Sequence, residues 1–421
     1  MKVTILGATL HAGVMAALLS EYGNLVYWCC QSDEQIYHAN KIQYLDEEVN
    51  RRLDQQFKSN QLLHCTLAEI PLDIEVYLFC YSPTESELAS QTLKSLSLKP
   101  MIHPRLMING STFGLHGTDK LKAILPQDYW VYFPDVIQEG NAINSVLNVK
   151  QVILGVEQQE SKAMLEELLR PFFGLYSHYL FMPILDAEFT KLSISGMLAT
   201  RISYINDMAM VAEKLGIDIL NVKQGLGADS RIGSAYLSPG VGFGGENFSH
   251  DILTLSSAVS ESGAKSRLLQ QVWDINEQQK EILFRKLWNY YHSDLKDKVI
   301  AIWGAAFKEN TSSIHNSPIH TILEALWAQG VIIRLHDPQA LHEVDKYYGK
   351  RDDLILCADA YEAAQHADAL CIITAWKQYY SPDYKKLLQL MHHPLILDGR
   401  NLYNPQYVKA QGFAYEGVGR V

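Results

Sequence analysis

Residues 231–251, RIGSAYLSPGVGFGGENFSHD, gather the residue types that handle anions. Gly240, Gly242, Gly244 and Gly245, with Pro239, exclude an ordinary helix or central strand. Glycine at that density marks backbone in unusual φ/ψ, or backbone that a ligand approaches closely. A long helical pattern precedes the run and another starts at about Asp251. A loop that opens a helix offers free N–H groups and the positive end of the helix dipole to negative charge. A plain surface loop between two helices has the same spacing, and spacing alone does not separate the two readings.

The elements around this loop read as α/β. Residues 3–6 (VTIL) form a strand pattern, 7–13 a glycine turn, 11–22 a helix and 26–30 a second strand. This opening resembles a Rossmann unit, with G-x-G-x-x-G written as Gly7-Ala-Thr9-Leu-His-Ala12. Gly7 serves the tight turn, and Ala12 substitutes for close helix packing. Thr9 places a side chain where backbone would approach a pyrophosphate. Residues 75–80 and 106–109 read as further strands, and 186–216 as a long helix stopped by Gly216. A second βαβ pattern begins at 298–303 (KVIAIW), followed by a glycine turn, a helix and the strand 331–335.

At 421 residues the chain is long enough for two or three domains, and its 48% hydrophobic content is that of a globular protein. A net charge of −11 argues against nucleic acid or an anionic membrane as a general partner. No segment holds the ~18 uninterrupted apolar residues of a membrane helix. The first 19 residues have the composition of a secretory leader, but a Gly-Ala-Thr turn breaks them early, and strand–turn–helix is the reading taken. Six cysteines (29, 30, 65, 80, 357, 371) lie mostly in apolar strand-like runs without metal-ligand spacing. Reduced buried thiols in a cytoplasmic protein are expected.

Residues 186–251 resemble the central part of the UDP-glucose and GDP-mannose (nucleotide-sugar) dehydrogenase family, most nearly its UDP-glucose 6-dehydrogenases. The family loop G-[YF]-G-G-S-C-F-P-K-D stands here as GFGGENFSHD, so the nucleophilic cysteine falls on Asn247, the lysine on His250, and the aspartate is kept as Asp251. Residues 186–216 resemble the family's long central helix. They keep Lys191, which in the family hydrogen-bonds substrate and stabilises an oxyanion, and put Ser195 at its asparagine partner. Earlier in the chain, Tyr81-Ser82-Pro83 resembles the family's G-T-P, and Gly110-Ser111-Thr112 its K-S-T, whose threonine lies near the reacting centre. Residues 133–140, FPDVIQEG, resemble N-P-E-F-L-[RA]-E-G. There Asp135 takes the place of the glutamate that works with the catalytic water, and Glu139 keeps the cofactor-side one. An Asp is a methylene shorter, enough to misplace a general base by about 1 Å.

In the C-terminal part, Gly304-Ala-Ala-Phe307-Lys308 and Asp398-Gly-Arg400-Asn401 resemble family motifs that reach the sugar nucleotide through Lys308 and Arg400. The family arginine that reaches the dinucleotide phosphates falls on His315. At the end of the second strand, the ribose-binding acid falls on Cys30, with Asp33 three residues late.

The resemblance implies two Rossmann-like parallel-sheet domains joined by a central helical dimerisation region, divided as 1–185, 186–297 and 298–421. It also implies NAD as cofactor, a nucleotide sugar such as UDP-glucose as ligand, and a homodimer. The expected substrate contacts are Lys191, Arg231, Tyr236, Phe243, Gly244, Gly245, Lys308 and Arg400. The expected cofactor contacts are Gly7, Thr9, Ala12, Cys30, Ser82, Glu139 and His315. The chemical centre would draw on Lys191, Asp251, Ser195, Asp135, Thr112 and the Asn247 position.

In the family, cysteine traps an aldehyde and carries it through a thioester to the uronate. An amide is no nucleophile at neutral pH, so Asn247 excludes that route. Three altered contacts on the dinucleotide side, each worth about 1.5–3 kcal/mol, weaken the cofactor. The expectation is a nucleotide-sugar-binding protein without the four-electron oxidation. One alternative is a single alcohol-to-aldehyde hydride transfer with Lys191 and Asp251 as an acid–base pair through water. The other is a structural dimer with empty sites.

Overall fold

The computed structural model describes residues 1–30, 46–100, 102–173 and 178–420, and for Cys30 the backbone alone. The chain divides into two compact units, Met1–Ile194 and Ser195–Val421.

In the first unit the strands are β1 (Lys2–Leu6), β2 (Leu25–Cys30), β3 (Leu62–Thr66), β4 (Val76–Phe79), β5 (Leu106–Asn109), β6 (Tyr129–Tyr132), β7 (Gln151–Val156) and β8 (His178–Met182). They form one sheet in the order β3-β2-β1-β4-β5-β6-β7-β8. The pairings from β3 through β6 are parallel, β6 and β7 run antiparallel, and β7 and β8 are again parallel. Buried runs such as VTIL form these strands because both faces are covered, so alternation with polar residues is not needed.

The helix Leu10–Glu21 (LHAGVMAALLSE) follows β1 and buries residues 11–20. Its alanines and leucines are strong helix formers, and Leu18 and Leu19 are fully buried, where truncation to alanine costs about 2–5 kcal/mol. Gly7 links strand to helix at φ +105°, and a Cβ there would lie 2.2 Å from the Cys80 carbonyl oxygen, so only glycine fits. The neighbours of β1 diverge here toward β2 and β4, which opens the crevice where sheets of this order take ligands.

The second unit carries the helices Ile219–Ala228, Glu246–Glu261, Leu268–Lys280 and Ile282–Tyr290 ahead of its own sheet. Its strands are β9 (Val299–Trp303), β10 (Ile332–His336), β11 (Leu354–Leu356), β12 (Ala369–Ile372), β13 (Leu395–Asp398) and β14 (Ala414–Gly417). All are parallel, in the order β11-β10-β9-β12-β13-β14, the same winding as the first six strands of the other sheet. Trp303 anchors this core by stacking on Tyr379 at 4.9 Å, and its indole N–H reaches the Ala360 carbonyl at 2.8 Å. The sequence reading of two Rossmann-like sheets with a helical centre is the architecture found. The helix Ile184–Leu215 contains the boundary between the two units. No helix among the described residues is long and apolar enough to cross a membrane.

Candidate functional site

In the second unit the glycine run is held from beneath by side-chain amides. Asn276, fully buried on the helix Leu268–Lys280, takes the Phe243 N–H on Oδ1 at 2.7 Å and gives Nδ2 to the Phe243 carbonyl at 3.1 Å. Asn206 Oδ1 accepts the Gly240 N–H at 2.9 Å, and Gln279 Nε2 donates to the Gly240 carbonyl at 2.7 Å. The Gly245 N–H is taken by the His315 carbonyl at 2.8 Å. Backbone lies so close that a Cβ on Gly244 would sit 2.5 Å from the Asn316 carbonyl oxygen. Gly245, at φ +94°, faces the Phe307 ring, 3.0 Å from where its Cβ would be. Phe243 packs against Phe248 and Trp273, with centroids 5.3 and 6.1 Å away.

The following helix begins at Glu246, with Gly245 as its N-cap, rather than at about Asp251 as the sequence pattern suggested. The first helical turn therefore takes in Asn247, whose side chain is exposed. Two turns of this helix carry the remaining loop residues. Asp251 is buried and accepts the Ser195 hydroxyl on Oδ2 at 2.7 Å. A His250 ring nitrogen lies 3.3 Å from the Thr254 hydroxyl. Ser249 accepts Nδ2 of Asn316 at 2.8 Å, and Asn316 in turn accepts Lys280 Nζ at 2.7 Å. Lys280 is buried and paired with Glu277 at 2.8 Å. Burial pushes its pKa down, and the Glu277 carboxylate works against that.

Lys308 lies over the Phe307 ring with Nζ 5.6 Å from the centroid. Arg400, half-buried after β13, donates Nη2 to the Phe307 carbonyl at 3.3 Å and Nε to the Ile373 carbonyl. The glycine loop, Phe307, Lys308 and Arg400 are thus assembled on one side of the second sheet's β9 turn. His315 is exposed and contributes its carbonyl to the loop. Arg231 is exposed and forms a two-point pair with Asp229 at 3.0 and 2.7 Å. Tyr236 is exposed at φ +58°.

Sequence reasoning missed Asn276, Lys280 and Arg201. Arg201 spends its whole guanidinium on the turn after Arg231, with bonds to the carbonyls of Ala235, Ile232 and Gly233 at 2.8, 2.9 and 2.7 Å. It stands in residues 186–216, the stretch that resembles the family's long central helix. Asn276 and Lys280 lie in a helix that carries no motif.

In the first unit the Rossmann turn is altered in a specific way. Thr9 is the N-cap of the helix Leu10–Glu21: its Oγ1 accepts the Ala12 N–H at 3.3 Å and donates to the Cys80 carbonyl at 2.9 Å. The side chain thus turns inward and takes a helix-end donor that would otherwise face a ligand. His11 is buried with its ring against Gly110; a Cβ on that glycine would meet Cε1 at 2.7 Å. Burial lowers its pKa, Asp135 and the Gly110 backbone raise it and Lys191 lowers it, so both charges act on the His11 ring. Asp135 itself caps the Ile137 N–H at 2.8 Å.

Of the other expected residues in this unit, Ser82 opens a short 3-10 turn, with its N–H on the Glu85 carboxylate at 2.8 Å. Thr112 is buried, and Glu139 and Lys191 are half-buried. The Cys30 side chain and Asp33 lie outside the described residues. A missed neighbour is Glu188, which accepts the Thr118 N–H and hydroxyl at 2.8 and 2.7 Å. Burial drives its pKa up, against those two bonds.

Comparison with known proteins agrees with this arrangement. Residues 185–278 match the UDP-glucose/GDP-mannose dehydrogenase family, central domain, and residues 301–405 its UDP binding domain. A UDP-glucose 6-dehydrogenase of Pseudomonas aeruginosa is 30% identical over 445 residues, which covers 100% of this chain and 98% of that one. A second, of Bacillus subtilis, is 28% identical over 440 residues, covering 100% and 93%. Among solved structures, a UDP-glucose dehydrogenase from Pyrobaculum islandicum superposes with TM-score 0.88 at 21% identity, covering 100% of this chain and 98% of that one. A UDP-D-ManNAc dehydrogenase from Pyrococcus horikoshii gives 0.85 at 20%, covering 100% and 99%. With matched sequence along its whole length and the same doubly wound sheets, the chain belongs to the UDP-glucose/GDP-mannose dehydrogenase family.

Proposed function

We propose that the second unit binds a nucleotide sugar, UDP-glucose or a close relative, and that the chain does not oxidise it to the uronate. The observation that carries this reading is Asn247, exposed in the first turn of the helix Glu246–Glu261, at the place the family gives to its nucleophilic cysteine. Covalent trapping of an aldehyde needs a thiolate, and an amide offers none. The cysteines of this unit, Cys357 and Cys371, are buried in its sheet core, and burial pushes both thiols up. Retention of ligand binding is supported by the fitted glycines 244 and 245 and by Lys308 and Arg400 beside Phe307.

The residues of the first unit do not fit a dinucleotide in the family's manner. Thr9 consumes a helix-end donor, and Cys30 stands where an acid would hold ribose hydroxyls. Weak NAD binding is therefore part of the proposal. A homodimer is supported by Met197, Tyr204, Val211 and Leu215, all exposed and spaced along one helix. The described cysteines are thiols, which supports a reducing, cytoplasmic setting.

A second reading, a single alcohol-to-aldehyde oxidation, is favoured by one observation: a histidine, His11, is buried against Gly110 in the first unit, within reach of the charges of Asp135 and Lys191. It requires dinucleotide binding. Calorimetric titration with UDP-glucose, UDP-glucuronate, NAD and NADP separates the readings. Binding of a UDP-sugar that is lost in Lys308→Ala, with no dinucleotide binding at millimolar concentration, is the expected result. Formation of UDP-glucuronate from UDP-glucose and NAD overturns the proposal.

A further inference from the structure

We propose that Cys29 and Cys65 are a redox-modification site, a dithiol that a peroxide converts to an intrachain disulfide. The two residues are register partners on the adjacent parallel strands β2 and β3. In-register neighbours in a sheet lie about 4.8 Å apart and point their side chains to the same face. That spacing falls within the roughly 4.4–6.8 Å that Cα atoms span across a disulfide, so closure needs only a small drawing-together of the side chains. Both belong to one hydrophobic cluster, with Tyr77, Phe79 and Ile70, on the face of the sheet opposite Trp28.

The thiols already interact: Cys29 hydrogen-bonds Cys65 and holds its pKa below the usual thiol value, ahead of the opposing effect of burial. The other described cysteines of this unit and the next are set apart by contrast. Cys80 and Cys371 have no exposed surface and thiols pushed up by burial, whereas Cys29 and Cys65 each keep 5% exposure. The strand β3 is also the edge of its sheet, so the pair sits at the rim and not in the middle.

The chemistry balances with hydrogen peroxide as oxidant. The Cys65 thiolate attacks one peroxide oxygen, the O–O bond breaks, and hydroxide leaves with a proton as water, giving a sulfenic acid. The Cys29 sulfur then attacks the sulfenic sulfur, the S–O bond breaks, and a second water leaves as the S–S bond forms. Two electrons pass from the two thiols to one peroxide. The product ties the carboxyl end of β2, next to Cys30, covalently to β3.

The test is graded peroxide treatment of the full chain, alkylation of the remaining thiols, trypsin digestion without reductant, and mass mapping. The expected result is one cross-linked pair of peptides, residues 3–41 with 59–94, released by dithiothreitol, with two thiols lost per peroxide consumed. Each peptide holds a second cysteine, Cys30 or Cys80. The link must therefore persist in Cys30→Ser and Cys80→Ser and vanish in Cys29→Ser and Cys65→Ser. Oxidation that stops at sulfinic acid without a cross-link overturns the proposal, as does a link that survives Cys29→Ser. Far-UV circular dichroism of each variant separates loss of the link from loss of the fold.

Discussion

Replacing Asn276 by alanine tests whether the glycine loop is held by its underside. Asn276 is fully buried and makes two bonds to the backbone of one residue, 2.7 Å to the Phe243 N–H and 3.1 Å to the Phe243 carbonyl. Truncation removes both and leaves a buried donor and a buried acceptor unpaired, each costing about 1–3 kcal/mol. The sum is roughly 2–6 kcal/mol, the lower end applying if water enters the vacated space. For a unit of this size, each kcal/mol moves the melting temperature by about 2–4 °C, so Asn276→Ala should melt roughly 4–24 °C lower. Differential scanning calorimetry reads the shift, and Asn276→Asp is the informative companion. It keeps the acceptor but turns a carboxylate oxygen toward the Phe243 carbonyl, so it should be no more stable than the alanine variant. Because Phe243 directly precedes Gly244, sugar-nucleotide affinity should fall with stability. A melting temperature within a degree of the unmodified protein for Asn276→Ala would falsify the clamp.

Two further outcomes are expected. His64 sits between Trp28 and Phe57, with centroids at 5.5 and 4.5 Å, and neither ring nitrogen makes a hydrogen bond of good geometry among the described residues. Burial lowers its pKa, against a smaller pull from the Trp28 backbone, so the unfolded chain binds the proton more tightly. Stability is therefore lost as pH falls below about 6.5 toward the folded value, at up to ~1.4 kcal/mol per pH unit. His64→Phe should raise stability at neutral pH by about 1–3 kcal/mol and flatten that acid slope; urea melts at pH 7 and 5.5 measure both, and an unchanged slope removes His64 as a contributor. Asn247→Cys places an exposed thiol in the first turn of a helix, where the helix end favours thiolate, so it should add one fast-reacting thiol to iodoacetamide at pH 7. It should still form no UDP-glucuronate, because the Thr9 and Cys30 changes remain; uronate formation would show that the dinucleotide contacts are adequate.

Much of the fold was legible because its signals are local. The runs VTIL and VIAIW, each followed by a glycine turn, mark β1 and β9, and the helix Ile184–Leu215 follows from apolar spacing ended by Gly216. The start of the helix after the glycine loop was misplaced because ENFSH is polar and glycine-capped. Its helical state is set by the His315 and Asn316 contacts, which sequence spacing does not display. Asn276 and Lys280 escaped for the same reason. Each reads as a polar residue on an amphipathic helix, and only the chain folding back under Gly242 and Phe243 gives it a buried role.

The departures from the family's pattern take on a different meaning once their partners are known. Read singly, Thr9, Ser195 and Ser249 are losses: a side chain in a phosphate turn, a missing amide and a missing proline. In the folded chain each has a specific partner. Thr9 caps its own helix, Ser195 donates to the buried Asp251, and Ser249 accepts from Asn316, which also takes Lys280. A site under no constraint to hold a ligand would have no reason to replace lost contacts with new ones of good geometry. Substitutions that find hydrogen bonds at 2.7 and 2.8 Å within the same few turns instead fit a site adapted to hold its shape. That argues for a retained ligand around the glycine loop, and against empty structural remnants. If Ser195→Ala and Ser249→Ala leave sugar-nucleotide affinity and melting temperature both untouched, this reasoning fails, since hydrogen bonds that organise a binding loop cannot be removed without a trace in one or the other.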